Sequence, residues 1–162
     1  MMEDFEVRKV FLDRTENKGP ISVFIKDAEV ISAGTTIYSM SVKSRNDEYQ
    51  RYADEYDMRF IFDDDIPEIS FYAVPQIDIF ARDSKGGFWG TLGSMSDFEE
   101  KVPICYIDHE RKCFRAADSG KEFFKMLQEN KVELKPEEGV EFYNSKSDAE
   151  SRFEFVKMKM IF

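Results

Sequence analysis

The sequence contains few of the residues that build metal sites and disulfide frameworks. Its 162 residues include only two cysteines, Cys105 and Cys113, and one histidine, His109. Neither cysteine lies in a CxxC motif or near a His/Cys cluster, so the spacing of a zinc site is missing. The two cysteines fall on neighbouring predicted strands and could face each other across a hairpin, but reduced thiols are favoured for an intracellular chain. The sequence therefore predicts no metal and no cofactor.

Signatures of the common catalytic and phosphate-binding sites are also missing. The chain has no GxSxG, GxGxxG or GxxxxGK[ST] motif. His109 lies between Asp108 and Glu110 in a predicted turn. Because a general base needs a positioned partner and a bound substrate, a solvated turn histidine is the favoured interpretation. The sequence predicts no catalytic residue, and we do not expect an enzyme.

Long apolar runs are missing as well. No stretch approaches the roughly 20 residues that a membrane-spanning helix needs. The first residues, MMEDFEVRKVF, carry acids and lack the apolar segment of a signal peptide. We expect a soluble, cytoplasmic protein.

Positive charge is in deficit. Acidic residues outnumber basic ones 33 to 23, which gives a formal net charge of −10. Phosphate backbones and anionic membrane surfaces repel such a chain, so nucleic acid and membranes are not expected partners. A basic protein partner would instead be attracted and steered toward it.

The most regular alternation of strand-like and turn-like segments lies between Val74 and Ala117. Apolar and aromatic runs alternate with turns, and the paired glycines Gly86-Gly87 allow a tight reversal of the chain. This pattern predicts an antiparallel meander, closed by a helix over Lys121–Asn130 with Ser119 as its N-cap. The large apolar residues expected in the core of this sheet are Ile77, Ile79, Ile104 and Tyr106.

The remainder of the chain predicts further strands and one helix. The segment Phe5–Leu12 fits a strand or a short helix, and we favour the strand. We also expect a hairpin of Ile21–Ile25 and Glu29–Ile31, and a β-favouring segment over Thr35–Val42. A helix over 45–56, capped by Ser44, places three tyrosines and an alanine on one core-facing stripe. Residues 147–162 fit either a helix or a strand. The whole indicates one α+β domain over 1–162, with a mixed, largely antiparallel sheet and helices mainly on one face.

The run Asp63-Asp64-Asp65, followed by Glu68, is the sharpest chemical feature. Carboxylates can hold Mg²⁺ or Ca²⁺, but the spacing of an EF-hand loop is missing and consecutive side chains diverge, so a solvated loop is favoured over a metal site. Nine acids lie between Asp47 and Glu68 against two arginines. We interpret this region as a candidate surface for a basic partner.

An aromatic anchor would complete such a surface. Phe88 and Trp89 are adjacent in a predicted strand, so they point to opposite sides of the sheet. We expect one to be buried and the other, nearer the surface, to contact the partner.

Three segments of the chain resemble the core of the SUKH superfamily. They are IDIFARDSKGGFWGTL, VPICYIDHE and CFRAADSGKEFFKML, and the similar region runs from Val74 to Leu127. The shared pattern is an apolar strand ending in a Phe-Ala-acid turn with paired glycines, an aromatic strand, a proline-led strand, and an Ala-Ser step into a helix with a phenylalanine pair.

The resemblance implies a SUKH-like domain that binds a protein without catalysis. Bacterial members of that superfamily are immunity proteins that neutralise a cognate toxin, often a nuclease. Fungal members regulate glucan synthesis, which implies the alternative of a regulatory or scaffolding module.

Overall fold

The computed structural model describes residues 8–16, 23–93 and 102–156. Within these ranges the chain has an α+β fold, as predicted. Its helices are α1 (Asp47–Tyr56), α2 (Gly120–Gln128) and α3 (Lys146–Glu150), with a 3-10 turn at Val42–Ser44. Its strands are β1 (Arg8–Asp13), β2 (Ala28–Ala33), β3 (Thr35–Ile37), β4 (Arg59–Phe60), β5 (Tyr72–Val74), β6 (Ile77–Arg82), β7 (Phe88–Thr91), β8 (Ile104–Ile107), β9 (Cys113–Ala117), β10 (Lys135–Pro136) and β11 (Glu141–Tyr143).

The main sheet is mixed and largely antiparallel, which confirms the predicted class. Its order is β10-β9-β8-β7-β6-β3, with β4 also pairing with β6. Strands β6 to β9 form the predicted antiparallel meander, in which Trp89 stands opposite Tyr106 and Ile107 opposite Cys113. Strand β3 joins β6 in parallel, placing Thr35 opposite Ile77.

The turn between β6 and β7 is built around one carboxylate. Oδ1 of Asp83 accepts the backbone N–H groups of Lys85 and Gly87 at 2.9 and 2.7 Å. Gly86 has φ +84°, the left-handed region that glycine adopts without steric cost. The hydroxyl of Tyr106 donates to the other oxygen of Asp83 and joins this turn to β8.

Two layers cover the main sheet. Helices α1 and α2 bury Tyr52, Phe123 and Leu127 against Phe80 and Ile104 on one face. On the other face a cluster contains Ile77, Ile79, Cys105 and Ile107. It is covered by Phe142 of the short β5–β11 ladder and by Phe71, which directly precedes β5. Ile77, Ile79 and Ile104 are fully buried, as predicted, whereas Tyr106 is only half-buried because its hydroxyl reaches the turn at Asp83.

The N-terminal strands pair differently from the prediction. Strand β1 confirms the strand character of the described part of Phe5–Leu12, and residues 5–7 lie outside the described ranges. The predicted hairpin of Ile21–Ile25 with Glu29–Ile31 is wrong. Residues 23–25 form no strand, 21 and 22 are not described, and β2 pairs in parallel with β1 instead, with Val10 opposite Val30. β2 thereby satisfies its backbone through β1.

The ends of the helices also refine the prediction. Ser119 caps α2 as expected, by accepting the N–H of Glu122. Helix α1 is capped by Asn46 and not by Ser44, which lies in the preceding 3-10 turn. For residues 147–162 the sequence fits either a helix or a strand, and the structure contains a part of each. The short helix α3 is followed by an isolated parallel β-bridge between Phe155 and Phe11. Residues 157–162 lie outside the described ranges.

Candidate partner-binding face

Helix α1 is held at both ends by side-chain hydrogen bonds. The side chain of Asn46 accepts the N–H groups of Glu48 and Tyr49 at 3.0 and 3.2 Å, which satisfies donors that the first turn leaves unpaired. At the other end Asp57 adopts φ +52°, and its carboxylate accepts the backbone N–H and the hydroxyl of Ser84. The hydroxyl of Ser84 is the main reason that the pKa of Asp57 lies below its ordinary value. The helix is thereby fixed to the β6–β7 turn.

The inner side of α1 carries the stripe predicted from the sequence. Tyr52 is buried, and Tyr49, Ala53 and Tyr56 are half-buried against the sheet. The ring of Tyr49 makes an edge contact with Phe60 at a centroid distance of 5.0 Å. The stripe is therefore core-facing, but its rings also reach the walls of two clefts that flank the helix.

The carboxylates of the acidic run each have a partner. Asp63 accepts from the hydroxyl of Ser39 at 2.6 Å. Asp64 forms an ion pair with Arg45 at 2.6 Å, and Asp65 forms one with Arg82. The hydrogen bond from Arg45 holds the pKa of Asp64 below its ordinary value. These interactions connect the loop to the start of α1 and the end of β6.

The ion pairs change the electrostatic interpretation of this region. Arg45 and Arg82 lie outside the acidic range 47–68, yet their positive charges offset the carboxylates of Asp64 and Asp65 within it. The more uniformly acidic surface is α1 itself, where Asp47, Glu48 and Glu55 are exposed. Glu68, at the far end of the loop, is exposed as well.

The first cleft, of about 460 Å³, lies between α1 and the acidic loop. Three arginines line it together with two acids and two phenylalanines. These residues are Arg45, Arg59, Arg82, Asp54, Asp65, Phe60 and Phe62. The guanidinium carbon of Arg45 stands 4.6 Å from the centre of the Phe62 ring, a cation–π distance. This cleft is mixed in charge.

The second cleft, of about 340 Å³, lies on the side of α1 that faces α2. Here the lining is aromatic, with one methionine and one acid. It consists of Tyr38, Met40, Glu48, Tyr49, Tyr52, Phe60, Phe80 and Phe124. We call this second cleft the aromatic groove. Residue spacing predicts the tyrosine stripe and the phenylalanine pair of α2, but it does not predict that they meet Tyr38, because that depends on how β3 pairs with β6.

The structure does not divide Phe88 and Trp89 into the buried and the exposed side chain that alternation predicts, and contact of either one with a partner stays a prediction. Both side chains are half-buried, and each is covered by a different layer. The ring of Trp89 packs 4.7 Å from Tyr106 and 5.3 Å from Phe123, under α2. The ring of Phe88 packs 6.1 Å from Phe71 on the opposite face. A strand in the middle of a sheet that is covered on both sides has a packing layer on each face, which alternation alone does not reveal.

The cysteines and the histidine line neither of these two clefts. Cys105 and Cys113 are free thiols buried under the β5–β11 ladder. His109 is exposed in the β8–β9 turn, 3.8 Å from Glu110. Among the described residues, no three His, Cys, Asp or Glu side chains are grouped in a way suited to a metal ion.

Comparisons with other proteins leave this face to be interpreted from its own chemistry. No family model, curated protein or solved structure was found to match the chain. None of the helices in the described ranges combines the length and apolar character needed to cross a membrane.

Proposed function

We propose that this chain is a non-catalytic binding domain that neutralises a basic toxin domain by forming a stoichiometric complex with it. The resemblance to SUKH proteins supplies the functional class. The observation that carries the proposal is the α1 face, where exposed acids stand beside a groove lined with aromatic side chains.

This combination suits a protein interface. Aromatic side chains supply most of the binding energy at interface centres, whereas exposed charges mainly accelerate encounter and select the partner. A toxin that acts on nucleic acid needs a basic surface, and carboxylates can occupy that surface in place of phosphates. The net charge of −10 adds a long-range attraction between this chain and a basic partner.

The test is a titration against a basic toxin domain, taken from an open reading frame adjacent to the gene for this chain where one is found. Toxin activity should fall linearly with added chain and reach its minimum at a fixed molar ratio, because binding consumes one chain per complex. A chain that acted catalytically would instead suppress the toxin at far lower ratios. A toxin domain that remains fully active in an excess of the chain contradicts the proposal.

A charge variant then locates the interface. Replacing Asp63, Asp64 and Asp65 with asparagine should slow association and flatten its salt dependence, because it also leaves Arg45 and Arg82 uncompensated toward a basic partner. The matched control replaces three acids that line neither cleft, Glu133, Glu138 and Glu150, with glutamine. It makes the same change in net charge. Equal association rates for the two variants would place the interface away from the loop.

A further inference from the structure

The two ends of the main sheet differ in how they are protected from a further strand. One end is β10, which includes Pro136, and proline has no backbone N–H group to donate. The other end is β3, which pairs with β6 on one side and with no strand of the described residues on the other. The β3 end is therefore the one that a strand of another chain can extend.

The backbone groups that follow β3 alternate in direction. The N–H of Tyr38 donates to a carbonyl of β6 at 2.7 Å, and the N–H of Met40 donates to Ile61 at 2.9 Å. Successive residues of an extended chain point opposite ways, so the N–H and C=O groups of Ile37 and Ser39 point outward. Within the described part of the chain these four groups have no hydrogen-bond partner.

The sequence does not protect this edge with charge. Residues 30–42 carry no charged side chain, and this is the longest such run in a chain whose charged fraction is 35%. We call residues 37–41 the β3 edge. Natural sheet edges commonly carry lysine or proline, either of which hinders pairing with another strand. The β3 edge contains neither, and Tyr38 within it is 43% exposed.

Two acids border the β3 edge, one on each face. The hydroxyl of Ser39 donates to Asp63 at 2.6 Å. On the opposite face Glu48 lines the aromatic groove together with Tyr38 and Met40. Neither carboxylate forms an ion pair with a described residue. The two acids attract a basic segment, and they disfavour a second copy of this chain, which carries the same acids and a net charge of −10.

We propose that the β3 edge receives an extended, basic segment of the partner, which adds one strand to the main sheet. The backbone of this segment pairs with the outward groups of Ile37 and Ser39. Its side chains alternate between the two faces, where basic ones meet Asp63 on one side and Glu48 on the other. This inference rests on the proposed function, because it names the way in which a basic partner is held beside α1.

The first experiment uses a peptide and needs no partner. Acetyl-Val-Lys-Val-Val-Lys-Val-amide places its two lysines on opposite faces of a strand. It is titrated into the isotope-labelled chain and followed by NMR, beside a version with glutamate in place of lysine and a version N-methylated at its third and fourth residues. Binding on the order of millimolar is expected for the basic peptide, with the largest shifts at the amides of Ile37 and Ser39. Both altered peptides should bind at least about fivefold more weakly.

A pair of variants at one position tests the edge from the side of the chain. Ser39→Pro removes an outward donor and should weaken binding of the basic peptide at least about fivefold. Ser39→Ala loses the hydroxyl but keeps the backbone N–H, and it should change binding by less than about twofold. Thermal unfolding shows whether each variant is folded, and the N-methylated peptide supplies the same test on the wild type if Ser39→Pro is not.

Three results would overturn the proposal. They are equal binding of the N-methylated peptide, equal or tighter binding of the glutamate peptide, and the absence of shifts at Ile37 and Ser39 up to about 10 mM basic peptide. A chain that sediments as a dimer, while Ser39→Pro sediments as a folded monomer, would also overturn it, because the edge would then bind a second copy.

Amide exchange reports on the same edge in the complex. In the free chain the amides of Ile37 and Ser39 should exchange at least about tenfold faster than that of Met40, which is bonded to Ile61. Binding of the toxin domain should slow both at least about tenfold, because they gain acceptors.

The two proposals can fail separately. If the wild type and Ser39→Pro neutralise the toxin domain equally, and the amides of Ile37 and Ser39 stay unprotected, the proposed function stands and the role of the β3 edge is wrong. If the basic peptide pairs with the β3 edge but the toxin domain is not neutralised, the edge chemistry is right and the proposed function is wrong.

Discussion

The hydroxyl of Tyr72 lies 2.7 Å from Oδ1 of Asp13 and donates a hydrogen bond to it. The two residues are 59 positions apart in the sequence, and Asp13 is only 3% exposed to solvent. The same carboxylate accepts from the hydroxyl and N–H of Thr15 and from the N–H of Glu16. One buried acid thereby joins β1 to β5 and shapes the chain that leaves β1.

This environment makes Asp13 a source of acid sensitivity. Burial raises its pKa, but the hydrogen bonds from Tyr72, Thr15 and Glu16 outweigh that effect and leave the pKa below its ordinary value. A carboxyl with a depressed folded-state pKa stabilises the fold above its unfolded pKa of about 3.9, and this contribution is lost as the pH falls through the folded value.

Asp13→Asn should lower the unfolding free energy at pH 7 by about 1–3 kcal/mol, because it removes a charge-assisted hydrogen-bond acceptor from a buried position. It should also flatten the decline of stability below about pH 4, since the group with the depressed pKa that titrates there is gone. Urea unfolding of both proteins across this pH range measures the two effects. As a control, Tyr72→Phe removes one donor and keeps the titrating group. An unaltered acid slope in Asp13→Asn would show that another carboxyl is responsible.

The start of α1 supplies a second prediction. Asn46→Ala should cost about 1 kcal/mol of stability, within a range of about 0.5–2, because two N–H groups lose their acceptor. Ser44→Ala should change the unfolding free energy by less than about 0.5 kcal/mol, because no side-chain cap depends on it. Thermal or urea unfolding of this pair decides between the two capping positions. A larger loss for Ser44→Ala would restore the cap that the sequence predicted.

Residue spacing and capping preferences predicted helices α1 and α2 more accurately than they predicted where each helix begins. The spacing of the tyrosines predicted α1, and Ser119 predicted the start of α2 correctly. At α1 both Ser44 and Asn46 are good caps, and their intrinsic preferences differ too little to decide between them. Residues 42–44 instead form a 3-10 turn, whose own N-cap is Ser41.

Contacts between residues far apart in the sequence could not be predicted from it. Apolar periodicity shows that β1, β2 and β3 are strands, but a parallel pair leaves no turn motif between its members from which register can be predicted. The partners of Asp64 and Asp65 were missed for the same reason. Arg45 and Arg82 are 19 and 17 positions away along the chain, and only the fold brings them to the loop.

The centre of the sheet gives a third prediction. Ile104 is fully buried between the sheet and the two helices, so Ile104→Ala should lower the unfolding free energy by about 2–5 kcal/mol through lost burial and the cavity that remains. Ile66→Ala is the matched control, since Ile66 is 51% exposed and should cost less than about 0.5 kcal/mol. Similar losses at both positions, measured by urea unfolding, would contradict the assignment of Ile104 to the core.

The cysteines provide a fourth prediction, because their surroundings control their reactivity. They lie on adjacent strands, with Cys113 opposite Ile107 and Cys105 opposite Arg115, so the two thiols are diagonal neighbours on the same covered face. The hydrogen bond with Cys113, together with burial, raises the pKa of Cys105 well above its ordinary value. Since the thiolate is the reactive form, low exposure and a raised pKa both make Cys105 less reactive.

Native protein should therefore react slowly with Ellman's reagent at pH 8, and both thiols should react at once after unfolding in guanidinium chloride. The rate in the native state should follow the opening of the core, because the reagent cannot reach Cys105 otherwise. Ile104→Ala, which weakens the opposite side of the same strand, should accelerate labelling, whereas Ile66→Ala should not. Fast labelling of one thiol in the native wild type would show that the β5–β11 ladder does not keep this face closed.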